Sequence, residues 1–143
     1  MDEHPVPGVG VIILDGESLL LVRRAHEPGA GRWAVPGGKV GWGETLADAA
    51  RREALEETGL EVEVGSVFWV GEGIGEGDPA PWHYVLIDFL ASIVGGDLRP
   101  GSDAAEVRWV RLDETDDLPL TDSMRPLLAS LRTGGSPWEM MGT

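Results

Sequence analysis

Cysteine is absent from this chain, so disulfides, thiolate metal sites and a cysteine nucleophile are excluded. Lysine is nearly absent: Lys39 stands alone beside ten arginines, and the eleven basic residues face 25 acidic ones, a formal charge of −14. A surface so poor in positive charge is ill suited to a nucleic-acid duplex or an anionic membrane, both of which bind a basic footprint. No apolar run approaches the roughly 18 residues of a membrane span. The opening residues, MDEHPVPG, lack the positive start and apolar stretch of a secretory signal. These absences set a cytoplasmic protein as the expectation.

What is present suffices for one core. The chain has 143 residues, of which 42% are hydrophobic, the size of one ordinary domain. Val9 to Leu14 and Leu19 to Val22 are β-type runs around Asp15-Gly16, which predicts a hairpin. Residues 25 to 32 and 71 to 81 are rich in Gly and Pro and read as loops, the second unusually long. Trp33-Ala34-Val35 is a short apolar piece before Pro36-Gly37-Gly38. A helix is predicted from Thr45 to Thr58 with Gly59 closing it. Strands follow at Val62 to Val70, His83 to Val94 and Val107 to Leu112, and a second helix at Thr121 to Leu131, capped by Ser123. The mixed order reads as α+β, one domain over residues 1–133, with 134–143 (GGSPWEMMGT) a loose tail or a segment docked on a neighbour.

The first helix departs from the ordinary amphipathic pattern. At 100° per residue, Glu53, Glu56 and Glu57 fall within an arc of roughly 100° shared with Leu46, Ala49 and Ala50. Acids ordinarily avoid that side, because an unpaired buried carboxylate costs several kcal/mol. Three carboxylates at this spacing, with Cβ atoms roughly 5–6 Å apart, repel one another. Protonation relieves them, and so does a hard divalent cation, which takes oxygen ligands from carboxylates and substrate phosphates together. The competing reading is a solvated face paired with Arg51 and Arg52. Two flanking features favour the cation: Arg52 stands four residues before Glu56, and Pro36-Gly37-Gly38 supplies a tight bend whose carbonyl can approach an ion.

The segment GKVGWGETLADAARREALEETGL, from Gly38 to Leu60, resembles the Nudix box, and every fixed position is matched. The resemblance implies the Nudix fold, a mixed β-sheet sandwiched between α-helices. It implies hydrolysis of a nucleoside diphosphate linked to another moiety, with Mg2+ or Mn2+ as cofactor. On that pattern Glu56 and Glu57 are metal ligands and Glu53 is a ligand or the general base. Gly38 contributes its carbonyl, while Arg52 and Glu44 orient the carboxylates. Beyond the box, HYVLIDFLA and GGDLRPGSDAAEVRWV are similar to bacterial Nudix proteins labelled ADP-ribose pyrophosphatases. An acid before the Trp-containing strand approaches the metals in such proteins, which here is Glu106, with Asp103 its competitor. The resemblance also suggests a homodimer.

The resulting expectation is a pyrophosphohydrolase with a small nucleotide as its partner and ADP-ribose first among substrates. Nucleoside triphosphates, oxidised ones included, and a nucleotide-sensing module without catalysis are the alternatives. Arg23 and Arg24 end the second strand, and alternation points only one of them toward the site, to clamp a phosphate oxygen. Trp33 either stacks a base or packs in the core. Trp82, His83 and Tyr84 follow the long loop and are candidates for a base or ribose pocket.

Overall fold

The computed structural model describes residues 4–134. The central strand β1 (Val6–Asp15) turns through Gly16-Glu17 into β2 (Ser18–Arg24), so the predicted hairpin is present with its turn one residue later. The short strands β3 (Trp33–Ala34) and β4 (Gly37–Lys39) precede helix α1 (Leu46–Thr58). The long strands β5 (Leu60–Ile74) and β6 (His83–Gly96) form an antiparallel pair. They are followed by β7 (Ala104–Arg111), a 3-10 turn at Thr115–Asp117 and α2 (Met124–Thr133).

The strand β1 pairs in parallel with β6 from Val6 to Ile13. Its other edge is divided between two partners: Gly8, Val9 and Gly10 pair with β4, whereas only Leu14 and Asp15 pair with β2. Between these stretches the Val11 N–H donates to the Pro36 carbonyl oxygen at 2.8 Å. That division seats the Pro36-Gly37-Gly38 bend in the sheet, directly opposite helix α1.

Both faces of the sheet are covered, which explains why β1 and β2 read as continuous apolar runs. Val9, Val11, Ile13 and Leu20 pack with Ala49, Ala50 and Ala54 of α1 on one face. Ile12, Leu19 and Leu21 pack with Met124, Leu127 and Leu128 of α2 on the other. The mixed sheet between helices is the expected α+β arrangement. Thr45 caps α1 by accepting the Asp48 N–H at 3.1 Å, and Gly59 closes it with φ 76°. Ser123 stands at the N-cap of α2 without a side-chain capping bond. Pro126 costs nothing at the third helical position, where an N–H has no intrahelical partner.

One expectation is corrected. The 71–81 loop is shorter, because β5 runs on to Ile74, paired from Gly71↔Leu86 to Ile74↔His83. Glycine does not end the strand there; Gly71 instead gives room to the Trp69 ring, which a Cβ would strike. The tail, from residue 135 on, lies outside the described residues.

Candidate active site

Arg52 organises the loop before α1. Its Nε and Nη2 donate to the two oxygens of Glu44 at 2.8 and 2.9 Å, a bidentate fork. Nη1 donates to Glu53 Oε1 at 2.7 Å and Glu56 Oε2 at 3.3 Å, and Nη2 also donates to the Lys39 carbonyl at 3.0 Å. A guanidinium has five N–H groups, and here five acceptors surround it. Glu44 also accepts the Gly41 N–H at 2.9 Å. The Arg52 hydrogen bonds, helped by Gly41, hold its carboxyl down at about 2. One side chain thereby fixes the entry loop and the first carboxylate of the helix to each other.

Of the three glutamates expected to face inward, two do. Glu53 is buried at 9% exposure, with its carboxyl lying against the Gly38 backbone; a Cβ on Gly38 would stand 2.5 Å from Glu53 Cδ. Only glycine permits that approach. Burial raises the Glu53 carboxyl, against the opposing pull of Arg52. Glu57 is partly buried and accepts the Gly37 N–H at 3.3 Å. Burial pushes its carboxyl up to about 8, the Gly37 bond opposing and the Glu53 charge adding. Glu56 lies at the margin of the helical arc, on the rim, with its side chain 57% exposed beside Arg52.

Glu53 and Glu57 line an open cleft of about 380 Å³ together with Arg24, Gly37, Gly38 and Asp103. Through Arg24, Gly37 and Gly38 it runs into a groove of about 480 Å³ walled by Ile74, Trp82 and Tyr84. Among the described residues, no three acids or histidines stand close enough to hold a metal by themselves. Mg2+ does not require such a cage: it keeps several waters and is held by one or two carboxylates plus substrate phosphates. Two inward carboxylates, only one of them paired with an arginine, stand beside a backbone bend and fit that donor set.

Comparison with known proteins matches this geometry to a family. The family model described as NUDIX domain covers residues 4–131. The chain belongs to the Nudix family. It is 37% identical over 115 residues to a protein of Methanocaldococcus jannaschii named ADP-ribose pyrophosphatase, spanning 80% of this chain and 67% of that one. It is 49% identical over 116 residues to the oxidized purine nucleoside triphosphate hydrolase of Mus musculus, spanning 78% and 68%. A crystal structure of a MutT Nudix hydrolase from Burkholderia pseudomallei superposes with a TM-score of 0.81 at 32% identity, over 89% of this chain and 98% of that one. The chain is therefore a Nudix hydrolase, a pyrophosphohydrolase of small nucleotides, and such enzymes generally need a divalent cation. Among the described residues no helix is long and apolar enough to cross a membrane.

Outside the Nudix box the expected site residues divide. Arg24 lines both cleft and groove, its Nε fixed to the Pro28 carbonyl at 2.7 Å. Arg23 points away, 3.6 Å from Glu106 on β7. Glu106 is not among the residues lining the cleft: Arg108 grips its carboxylate at 2.9 and 3.2 Å, and this bond holds the carboxyl below its ordinary range. Asp103 lines the cleft in its place, 3.5 Å from His26. Trp33 is core, 3% exposed, with the Arg108 guanidinium 4.8 Å from its ring centre. Tyr84 and Trp82 wall the groove, their rings 5.9 Å apart, while His83 faces Glu72 at 3.5 Å and does not line it. Asp88 also lines the groove; its only mark in the sequence is a lone acid inside the apolar run HYVLIDFLA.

Arg52→Lys is expected to lower kcat about 10- to 100-fold, the usual cost of removing a group that orients metal-binding side chains. A lysine has three donors and no planar fork, so Glu44 and Glu53 cannot both be held. Circular dichroism should stay native. Wild-type turnover in this variant would show that the fork is dispensable.

Proposed function

We propose that this Nudix hydrolase cleaves the pyrophosphate bond of a nucleoside diphosphate joined to a second moiety, with ADP-ribose as favoured substrate and AMP plus ribose 5-phosphate as products. The observation that carries the reading is the pair of inward carboxylates, Glu53 and Glu57, in a cleft continuous with an aromatic-walled groove. The groove takes the nucleoside against Trp82 and Tyr84. The diphosphate lies over the Gly37-Gly38 bend, and the second ribose extends toward His26 and Asp103.

Glu53, Glu57 and the Gly38 carbonyl would hold Mg2+ or Mn2+, with Glu56 reaching from the rim, and the cation would neutralise phosphate charge and acidify a water. The remaining work belongs to the chain. Arg24 supplies a fixed positive charge to a phosphate oxygen. Glu53, in the cleft beside the Gly37-Gly38 bend, takes a proton from the attacking water. Water oxygen bonds to phosphorus, the bridging P–O bond breaks, and the departing phosphate leaves as ribose 5-phosphate. Glu106, held by Arg108, is the weaker base and stands apart.

A second reading, hydrolysis of a nucleoside triphosphate including oxidised purines, is favoured by the 49% identity to the mouse protein of that name. One panel tests both: ADP-ribose, other nucleoside diphosphate derivatives and ordinary and 8-oxo triphosphates, with Mg2+ or Mn2+ and products identified by mass. AMP and ribose 5-phosphate formed with the highest kcat/KM support the first reading. Release of inorganic pyrophosphate from a triphosphate at higher kcat/KM replaces it with the second. Tight nucleotide binding with no cleavage in the whole panel overturns both.

A further inference from the structure

In a chain with 25 acidic residues and 11 basic ones, arginines are drawn to carboxylates. Arg23, Arg51, Arg52, Arg108, Arg111 and Arg132 each face one. Arg24 belongs to no ion pair among the described residues, although it lines a cleft with Glu53, Glu57 and Asp103. Its own loop holds it instead. The Arg24 N–H donates to the Arg32 carbonyl at 2.9 Å, and the Gly31 N–H donates to the Arg24 carbonyl at 2.8 Å. Residues 25–32 therefore leave from Arg24 and return to it. Within that loop the Arg32 N–H donates to the Gly29 carbonyl at 3.0 Å and the Ala30 N–H to Glu27 Oε1 at 2.8 Å. The Arg24 Nε donates to the Pro28 carbonyl at 2.7 Å, which ties the side chain to the same loop.

Gly29 makes room for that bond. Its φ is 83°, and a Cβ there would stand 3.3 Å from Arg24 Cδ and 3.5 Å from both Arg24 Nε and Thr121 Cγ2. The arginine stem takes the space a side chain would need. A guanidinium has five N–H groups; with Nε committed to Pro28, the four on its outer edge remain for a ligand. That edge is the one that forks onto phosphate oxygens, and its charge reaches Glu57 in the cleft. Fixing a long side chain before the ligand arrives spares the entropy otherwise lost on binding. Gly31 supplies a contrast within the same loop: its φ is 82°, but a Cβ there would meet nothing within 4 Å.

We infer that Gly29 is a positioning residue for phosphate recognition, seating Arg24 against Pro28 so that its outer edge stands preset where cleft and groove meet. The inference rests on the contact between Arg24 and phosphate in the hydrolytic reading. It goes beyond that reading because it assigns the strength of the contact to a glycine that has no side chain to offer a substrate.

Calorimetry with α,β-methylene-ADP and Mg2+ reads diphosphate binding without turnover. Gly29→Ala should weaken that binding about tenfold, the scale of one charged hydrogen bond. Gly31→Ala, with a like backbone strain and no contact to Arg24, should stay within about twofold of wild type. In an Arg24→Ala background Gly29→Ala should have no further effect. A loss that persists there means that the added methyl meets the nucleotide itself, and overturns the proposal. With the best substrate of the panel, Gly29→Ala should raise KM about tenfold and leave kcat within about threefold, because a phosphate clamp acts on substrate and transition state alike. The unaltered protein serves if the variant does not fold. Its Arg24 Nε proton, assigned by its absence from Arg24→Lys, should exchange at least about tenfold more slowly than that of the exposed Arg125. Equal exchange at the two arginines, or equal probe binding by Gly29→Ala and Gly31→Ala, overturns the proposal. Failure of wild type to bind the probe overturns it together with the hydrolytic reading. Cleavage of no substrate in the panel, with the binding differences intact, defeats the hydrolytic reading alone.

Discussion

Glu57→Gln is expected to lose at least about 100-fold in kcat/KM, more than the change of an outer positioning group ordinarily costs, without losing stability. The two halves of that result come from one fact. Glu57 is partly buried beside Glu53, and burial pushes its carboxyl to about 8. Ionising it in the metal-free protein is therefore unfavourable, and the fold tolerates the residue for a reason other than stability. Glutamine keeps the shape and an oxygen to accept the Gly37 N–H, now at 3.3 Å from Glu57. It removes the charge that a divalent cation would neutralise. At a pH above 8 the variant should melt at or above the wild-type temperature while its turnover is far lower, the trade between activity and stability seen where a site carries strain or unmet charge. Turnover is read with the best substrate of the panel, and melting by scanning calorimetry without added metal. Wild-type kcat/KM in Glu57→Gln would refute the role assigned to this carboxylate.

Much of this was legible in the sequence because the box is local. Gly38 to Leu60 spans one loop and one helix, so spacing alone brings Arg52, Glu53 and Glu57 together. Alternation along β2 implies that only one of Arg23 and Arg24 faces the site, and that one is Arg24. Glu56 was harder: it lies at the margin of the helical arc, and the position of that margin depends on how the helix seats on β1 and β4. Glu106 and Trp33 turned on tertiary partners. Arg108, two residues from Glu106 on the same strand, claims its carboxylate and covers the Trp33 ring. Periodicity cannot say which of several acids an arginine will hold. Glycine composition alone ends β5 at Val70. Pairing with β6 carries the ladder through Gly71 and Gly73 regardless. Asp88 is the plainest case of nonlocal meaning: its environment is made by Gly10, 78 positions earlier, across a parallel pairing that no short pattern announces.

The second large effect is the pH dependence of metal stabilisation. Glu57 has an ordinary carboxylate value of 4.5 and a folded value of about 8, so between these limits the folded protein binds the extra proton. Its stabilising contribution is full below pH 4.5 and is lost as pH rises through 8. Glu53 is raised in the same direction by burial, and Asp88, raised to about 7, adds to the same trend. In chelator the melting temperature should therefore fall between about pH 6 and about pH 9. Saturating Mg2+ should offset the Glu53 and Glu57 share, and more strongly at the higher pH, because at the lower one protons compete for the same oxygens. At a hundredfold excess over Kd the gain is about 2.7 kcal/mol, on the order of 10 °C for a domain of this size. Glu57→Gln should lose most of that gain yet keep the part of the metal-free decline that Asp88 causes, whereas Asp88→Asn should do the reverse. Scanning calorimetry at both pH values, with Mg2+ and with chelator, reads all three proteins. A metal gain equal at both pH values, or one that survives Glu57→Gln intact, would place the cation elsewhere than on these carboxylates.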